Sequence, residues 1–143
     1  MVLGITGCPG SGKSILARYL AESGWTLVDA DRIGREVVES EKSVLDRLVE
    51  SFGGDILDGN GVLNRRLLAS RAFSSADKTE MLNAIVHPRL IERLRHVVGG
   101  YRRYDLTIVV DCALIFEWRI ESLFDAIVCV AADEKERIRR LQD

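Results

Sequence analysis

Cysteine and histidine are scarce in this 143-residue chain, which holds three of the first and two of the second. Cys8, Cys112 and Cys129 lie far apart, and no CxxC pair exists, so neither a disulfide framework nor a cysteine zinc site is supported. His87 and His96 alone make no histidine metal cluster. No apolar run approaches membrane-spanning length, and no signal peptide precedes the motif that begins at Gly7. Excess charge is missing too. The formal net charge is −2, which gives no global field to draw the chain to nucleic acid or to a membrane surface. There is no internal repeat and no low-complexity stretch. What remains is an ordinary globular composition, 47% hydrophobic and 29% charged, in a length that suits one compact domain with room for an insert. Roughly two-thirds of the unfolded surface is buried at this size, so no covalent staple is needed. A cytoplasmic protein is expected.

Against this plain background, Gly7-Cys8-Pro9-Gly10-Ser11-Gly12-Lys13-Ser14 stands out. It reads G-x-x-x-x-G-K-S, the phosphate-binding loop. Backbone N–H groups coordinate phosphate oxygens only where no Cβ intervenes, and Gly7, Gly10 and Gly12 clear that space. Lys13 reaches the β- and γ-phosphates, the Ser14 hydroxyl ligates Mg²⁺, and the next helix adds its positive dipole end. The context fits. Val2-Leu3-Gly4-Ile5-Thr6 suits a buried parallel strand. Ile15, Leu16, Tyr19 and Leu20 follow at helical spacing, with Gly24 as C-cap.

Farther along, Trp25–Asp29 predicts a second strand, ending in Asp29-Ala30-Asp31, with a helix beginning near Arg32. Val44, Leu45, Leu48, Val49 and Phe52 predict another helix, stopped by Gly53-Gly54. Asp58-Gly59-Asn60-Gly61 marks a turn within a loop or small hairpin. Asn64 is placed to cap the helix carrying Arg65 and Arg66. A further helix carries Met81, Leu82, Ile85 and Val86, and His87-Pro88 should interrupt it, because proline drives the preceding residue to an extended conformation. Its successor, with Leu90, Ile91, Leu94, Val97 and Val98, should stop at Gly99-Gly100. Leu106–Asp111 and Ala126–Ala131 predict two more buried strands, and Asp133 caps a last helix. The pattern implies an α/β fold of the P-loop NTPase type, a doubly wound parallel sheet with helices on both faces. Residues 1–31 and 101–143 would form the nucleotide-binding core, and 32–100 a helical insert. The ligand should lie beyond the carboxyl ends of the strands, where the loop, Asp31 and Asp111 all fall.

Several of these residues admit two readings. Asp31 caps the following helix, or accepts a proton from a substrate hydroxyl; its place after the second strand favours the base. Asp111 ends a β-branched run as a Walker-B acid does, holding Mg²⁺, or caps a turn. Arg139 and Arg140 stabilise charge on a transferring phosphoryl group, or form a solvated helix face, which spacing alone favours. Arg65 and Arg66 share that ambiguity. His87 reads as a structural histidine at a helix junction. Cys8 fills a variable loop position.

The chain resembles the dephospho-CoA kinase family over essentially its whole length. Gly4-Ile5-Thr6-Gly7 leads into Gly10-Ser11-Gly12-Lys13-Ser14, and Asp29-Ala30-Asp31 follows at the family's spacing. Asp58-Gly59 and Leu63-x-Arg65-Arg66 resemble its D-G-x-L-x-R-R segment. Leu82–Pro88 resembles L-N-x-I-x-H-P, and Leu114-Ile115-Phe116-Glu117 resembles P-L-L-F-E. The resemblance implies transfer of phosphate from ATP, with Mg²⁺, to the ribose 3′-hydroxyl of dephospho-CoA. It implies Asp31 as base with Lys13 and Arg140 in the catalytic set. Gly10, Ser11, Gly12, Lys13, Ser14 and Ile15 would bind ATP. Thr6, Asp31, Arg65 and His87 would bind acceptor, and Ser14 and Asp111 the metal. Small molecules are the expected partners, with no nucleic acid or membrane, in a monomer or small homo-oligomer. The alternative is another small-molecule P-loop kinase, acting on a nucleoside or nucleotide, or a catalytically weak nucleotide-binding fragment. A Ras-type GTPase would carry N-K-x-D, which is absent. Two departures stand out. Ala113 replaces the family's usual proline. The family also continues past Arg140-Leu141-Gln142-Asp143 with a lid helix, a Gln-rich stretch and a fifth strand. A truncated chain of weak binding and poor turnover is the expectation.

Overall fold

The computed structural model describes residues 1–142. In chain order the elements are β1 (Val2–Thr6), α1 (Lys13–Glu22), β2 (Thr26–Asp29), α2 (Ala30–Ser40), α3 (Lys42–Phe52), α4 (Arg65–Ala72), α5 (Ala76–Arg103), β3 (Ile108–Asp111), β4 (Ala126–Cys129) and α6 (Glu134–Gln142). Asp143, the last residue of the final predicted segment, lies outside the described residues. The chain divides into two compact units, one of Met1–Asp31 with Leu94–Asp143, the other of Arg32–Arg93.

The first unit is built on a four-stranded sheet of order β2-β3-β1-β4, with every pairing parallel. All five residues of β1 are buried, as a strand flanked on both edges and covered on both faces must be. Val2, Leu3, Ile5, Val28, Ile108, Val109 and Val110 form the sheet's share of the core. α1 carries the chain from β1 to β2 and packs over β3 and β2. The connection from β3 to β4 passes β1 in the opposite direction. With both crossovers right-handed, these connections lie on opposite faces, so the carboxyl ends of β1 and β3 form the switch point where ligands enter such sheets. At the opposite edge, Asp125 clamps three elements. Its carboxylate accepts the Val2 N–H at 2.7 Å and an Arg102 Nη2–H at 2.8 Å, and Arg102 also donates to the Leu123 carbonyl at 3.0 Å.

The stripe expected on α1 is corrected. Ile15 and Tyr19 are exposed, and it is Leu16, Ala17 and Leu20 that meet the core with Leu3, Ile5 and Val109. Cys112 is buried as expected, but Cys129 is exposed on β4, the edge strand.

The second unit is helical apart from one bridge. α3 buries Val44, Leu48 and Phe52 and stops at Gly53. The predicted hairpin is present, pairing Leu57 with Leu63, and Asp58 Oδ1 accepts the N–H groups of Asn60 and Val62 at 2.8 and 2.9 Å. Asn64 caps α4 by accepting the Leu67 N–H at 3.0 Å.

Two predicted helix boundaries fail. α5 runs unbroken through His87-Pro88 and through Gly99-Gly100, 28 residues in all. A proline in a helix interior costs about 3 kcal/mol, and each glycine up to about 1. Val86, Leu90, Leu94 and Val98 recur every four residues along α5 and are all buried. Burial contributes about 1.5–3 kcal/mol for each such side chain, so the apolar stripe outweighs the breakers. α2 likewise starts two residues before Arg32, so Asp31 stands in its first turn instead of on an extended segment.

Candidate functional site

The loop after β1 owes its shape to its glycines. Gly7, Gly10 and Gly12 have φ of 146°, 77° and 98°, values that L side chains rarely adopt. Space is equally restrictive at two of them. A Cβ on Gly7 would stand 2.3 Å from the Val130 carbonyl oxygen, and one on Gly10 would stand 2.7 Å from that of Arg137. The Ser11 N–H donates to the Cys8 carbonyl at 3.1 Å, and the Gly12 carbonyl accepts from Ile15 and Leu16, starting α1. None of that first turn's own residues is acidic, so the helix's unpaired N–H groups and positive end are suited to an anion.

Around the loop the chain gathers its charges. Lys13 Nζ donates to Asp111 Oδ1 at 2.5 Å, and Ser14 Oγ to Asp111 Oδ2 at 3.1 Å. Asp111 ends β3 in register with Ile5 on one side and Asp29 on the other. Arg140 reaches in from α6, donating through Nη1 to the carbonyls of Gly10 and Ser11 at 3.2 and 3.3 Å. Its Nε is held by Glu136 at 3.0 Å. A cavity of about 260 Å³ is lined by residues 8–15 and Arg140. Among the described residues the buried Ser11 hydroxyl has no hydrogen-bond partner, a state that costs about 1–3 kcal/mol unless a ligand or water satisfies it.

The structure therefore brings together Gly10, Ser11, Gly12, Lys13, Ser14, Ile15, Asp111 and Arg140. Arg139 pairs with Glu136 at 2.8 Å and does not line the cavity. Asp31 is exposed, and its backbone N–H is accepted by Asp29 Oδ1 at 2.8 Å, so Asp29 does the capping considered for Asp31. Burial pushes the Cys112 thiol up to about 11, and the charges of Asp31, Asp111 and Lys13 all act on it. All three thus lie within electrostatic reach of one buried sulfur. Thr6 is buried and donates its hydroxyl to the Ala113 carbonyl at 2.9 Å. That bond joins the end of β1 to the turn in which Ala113 replaces the expected proline. Arg65 and His87 belong to the other unit. Arg65 pairs there with Glu39, and partial burial holds the His87 imidazole below its usual range.

Glu136 was missed in the sequence, although its i,i+4 spacing to Arg140 is a recognisable pairing signal. The approach of the Arg137 carbonyl to Gly10 had no sequence signal at all.

The family model for dephospho-CoA kinase matches residues 1–143. The chain belongs to the dephospho-CoA kinase family. A relative so named from Corynebacterium efficiens is 41% identical over 140 residues, covering 97% of this chain and 70% of its own. Another from Fusobacterium nucleatum is 36% identical over 141 residues, covering 99% and 72%. A crystal structure of a Thermus thermophilus protein superposes with a TM-score of 0.74 at 32% identity, over 99% of this chain and 71% of that one. The dephospho-CoA kinase of Campylobacter jejuni shares the fold, with a TM-score of 0.68 at 13% identity, over 99% and 95%.

Among the described residues, no group of three or more His, Cys, Asp or Glu side chains is placed to hold a metal. Ser14 and Asp111 are hard oxygen donors, the set that holds Mg²⁺ when substrate phosphates complete the shell.

Proposed function

We propose that this site transfers the γ-phosphoryl group of ATP to the ribose 3′-hydroxyl of dephospho-CoA. One observation carries the reading: Lys13, Ser14, Asp111 and Arg140 converge on a glycine cradle, in a chain of the dephospho-CoA kinase family. The loop amides and Lys13 bind the polyphosphate, and the Ser11 hydroxyl gains the partner it now lacks. Ser14 and Asp111 would hold Mg²⁺, which supplies neutralisation of phosphate charge when bound. Asp31 accepts the proton of the 3′-hydroxyl as that oxygen attacks phosphorus. The bond to the ADP oxygen breaks, and Arg140 stabilises charge on the transferring group. Arg65 and His87 serve the acceptor. Among the described residues no helix is long and apolar enough to cross a membrane, and we place the reaction in the cytoplasm.

The test is ADP release by the protein with ATP and Mg²⁺, offered dephospho-CoA, nucleosides or nucleotides in turn. Acceptor-dependent ADP release with dephospho-CoA, and a product carrying one added phosphate at the 3′ position, is the expected result. Release with a nucleoside and none with dephospho-CoA would move the chain to a different acceptor.

A further inference from the structure

We propose that Asp29 is a positioning residue, holding Asp31 in place through the main chain; the inference rests on the reading of Asp31 as base. Asp29 is the last residue of β2 and lies opposite Asp111 in the sheet. Its Oδ1 accepts the Asp31 N–H at 2.8 Å. That amide belongs to the first turn of α2, where no helical carbonyl is available to it. The bond is therefore an N-cap, and it fixes the sharp passage from strand to helix. Between the two acids, Ala30 is 1% exposed, so the junction is pinned from within as well. Asp29 is itself half-buried while Asp31 is exposed. One carboxylate faces the main chain and the other faces solvent. The end of β2 is fixed by its pairing with β3, and the cap passes that fixed position to the residue two places on. A base must lie within hydrogen-bond reach of the proton it takes, and a misplacement of about 1 Å costs about a hundredfold in rate. Asp29 touches no reacting atom in this scheme. Its contribution is the geometry of Asp31.

Steady-state transfer and ATP binding by the protein separate this role from a merely structural one. D29A should lower kcat about ten- to a hundredfold while leaving the KM for ATP unchanged, because the phosphate loop is untouched. D29N should restore kcat to within about threefold, since the amide oxygen accepts the same N–H. A wild-type kcat in D29A would overturn the inference. So would a D29N as slow as D29A, because charge and not the cap would then matter. Urea titration reports whether each variant folds. Should D29A not fold, D29G replaces it, since glycine at an N-cap costs only a few tenths of a kcal/mol while removing the bond; the same outcomes then apply. D31N separates the two readings. If D31N retains transfer, Asp31 is not the base and the role of Asp29 falls with it. If D31N abolishes transfer while D29A and D29G match wild type, only the inference about Asp29 fails.

Discussion

Lys13 Nζ and Asp111 Oδ1 stand 2.5 Å apart across a sequence separation of 98 residues. In the proposed scheme Lys13 serves phosphate and Asp111 serves metal, and here the two charges pair with one another. Lys13→Ala removes the cation from both partners. Charge-assisted hydrogen bonds are worth about 1.5–3 kcal/mol, so ATP affinity should fall about ten- to a hundredfold. Titration calorimetry measures it, and an unchanged affinity would remove Lys13 from the loop's chemistry. Asp111→Asn should instead raise the Mg²⁺ concentration needed for half-maximal transfer.

Asp31→Asn keeps the shape of the side chain and removes its basicity. Transfer should fall by about a hundredfold or more, within the range for general-base catalysis. ATP affinity should stay normal. Retained transfer would take the base role away from Asp31.

The two neighbouring arginines of α6 should behave differently. Arg140→Ala loses the contacts to Gly10 and Ser11 and should cost transfer at least about tenfold. Arg139→Ala loses only an exposed pair with Glu136, worth at most about 1 kcal/mol. Equal kcat values for the two variants would show that Arg140 has no part in the reaction.

Glycine-to-alanine changes should have opposite signs at two places. Gly10→Ala meets a backbone oxygen at 2.7 Å with φ at 77°, and should destabilise by about 1–3 kcal/mol. At Gly99, inside α5, an added Cβ meets nothing within 4 Å. Gly99→Ala should therefore stabilise by about 0.5–1 kcal/mol. Urea midpoints decide both.

His87 predicts a dependence on acidity. Its folded-state pKa is lowered by burial, so the unfolded chain takes up the proton first. Stability should fall as pH drops from about 6.5, the ordinary value, toward the lower folded value. His87→Gln should flatten that slope in urea titrations between neutral and mildly acid pH. A slope unchanged by the substitution would assign it to other groups.

The nucleotide half of the site was legible because its chemistry is local. Eight consecutive residues carry the cradle, and Asp111 closes a β-branched run. Spacing alone did not separate Arg140 from Arg139, and only the family resemblance singled it out, because what distinguishes them is which one turns toward Gly10, and that is set by the packing of α6. The sheet order was legible only as a class. The breaks expected at Pro88 and Gly99-Gly100 failed for a clear reason: local backbone preference of a few kcal/mol yields to a continuous buried stripe. Ile15 and Tyr19 misled because apolar side chains at helical spacing need not all face the core. The cap weighed for Asp31 belongs to Asp29, since the helix starts two residues early, a shift no propensity resolves.

Both neighbours of β1 arrive late in the chain: β3 begins at Ile108 and β4 at Ala126. On the ribosome, the first thirty or so residues thus leave the exit tunnel long before the strands that will flank them. The Gly7 turn waits for Val130, whose N–H closes onto the Thr6 carbonyl at 2.8 Å. Such long-range closure is slow. The shape of the phosphate loop therefore depends on contacts drawn from the last quarter of this sequence.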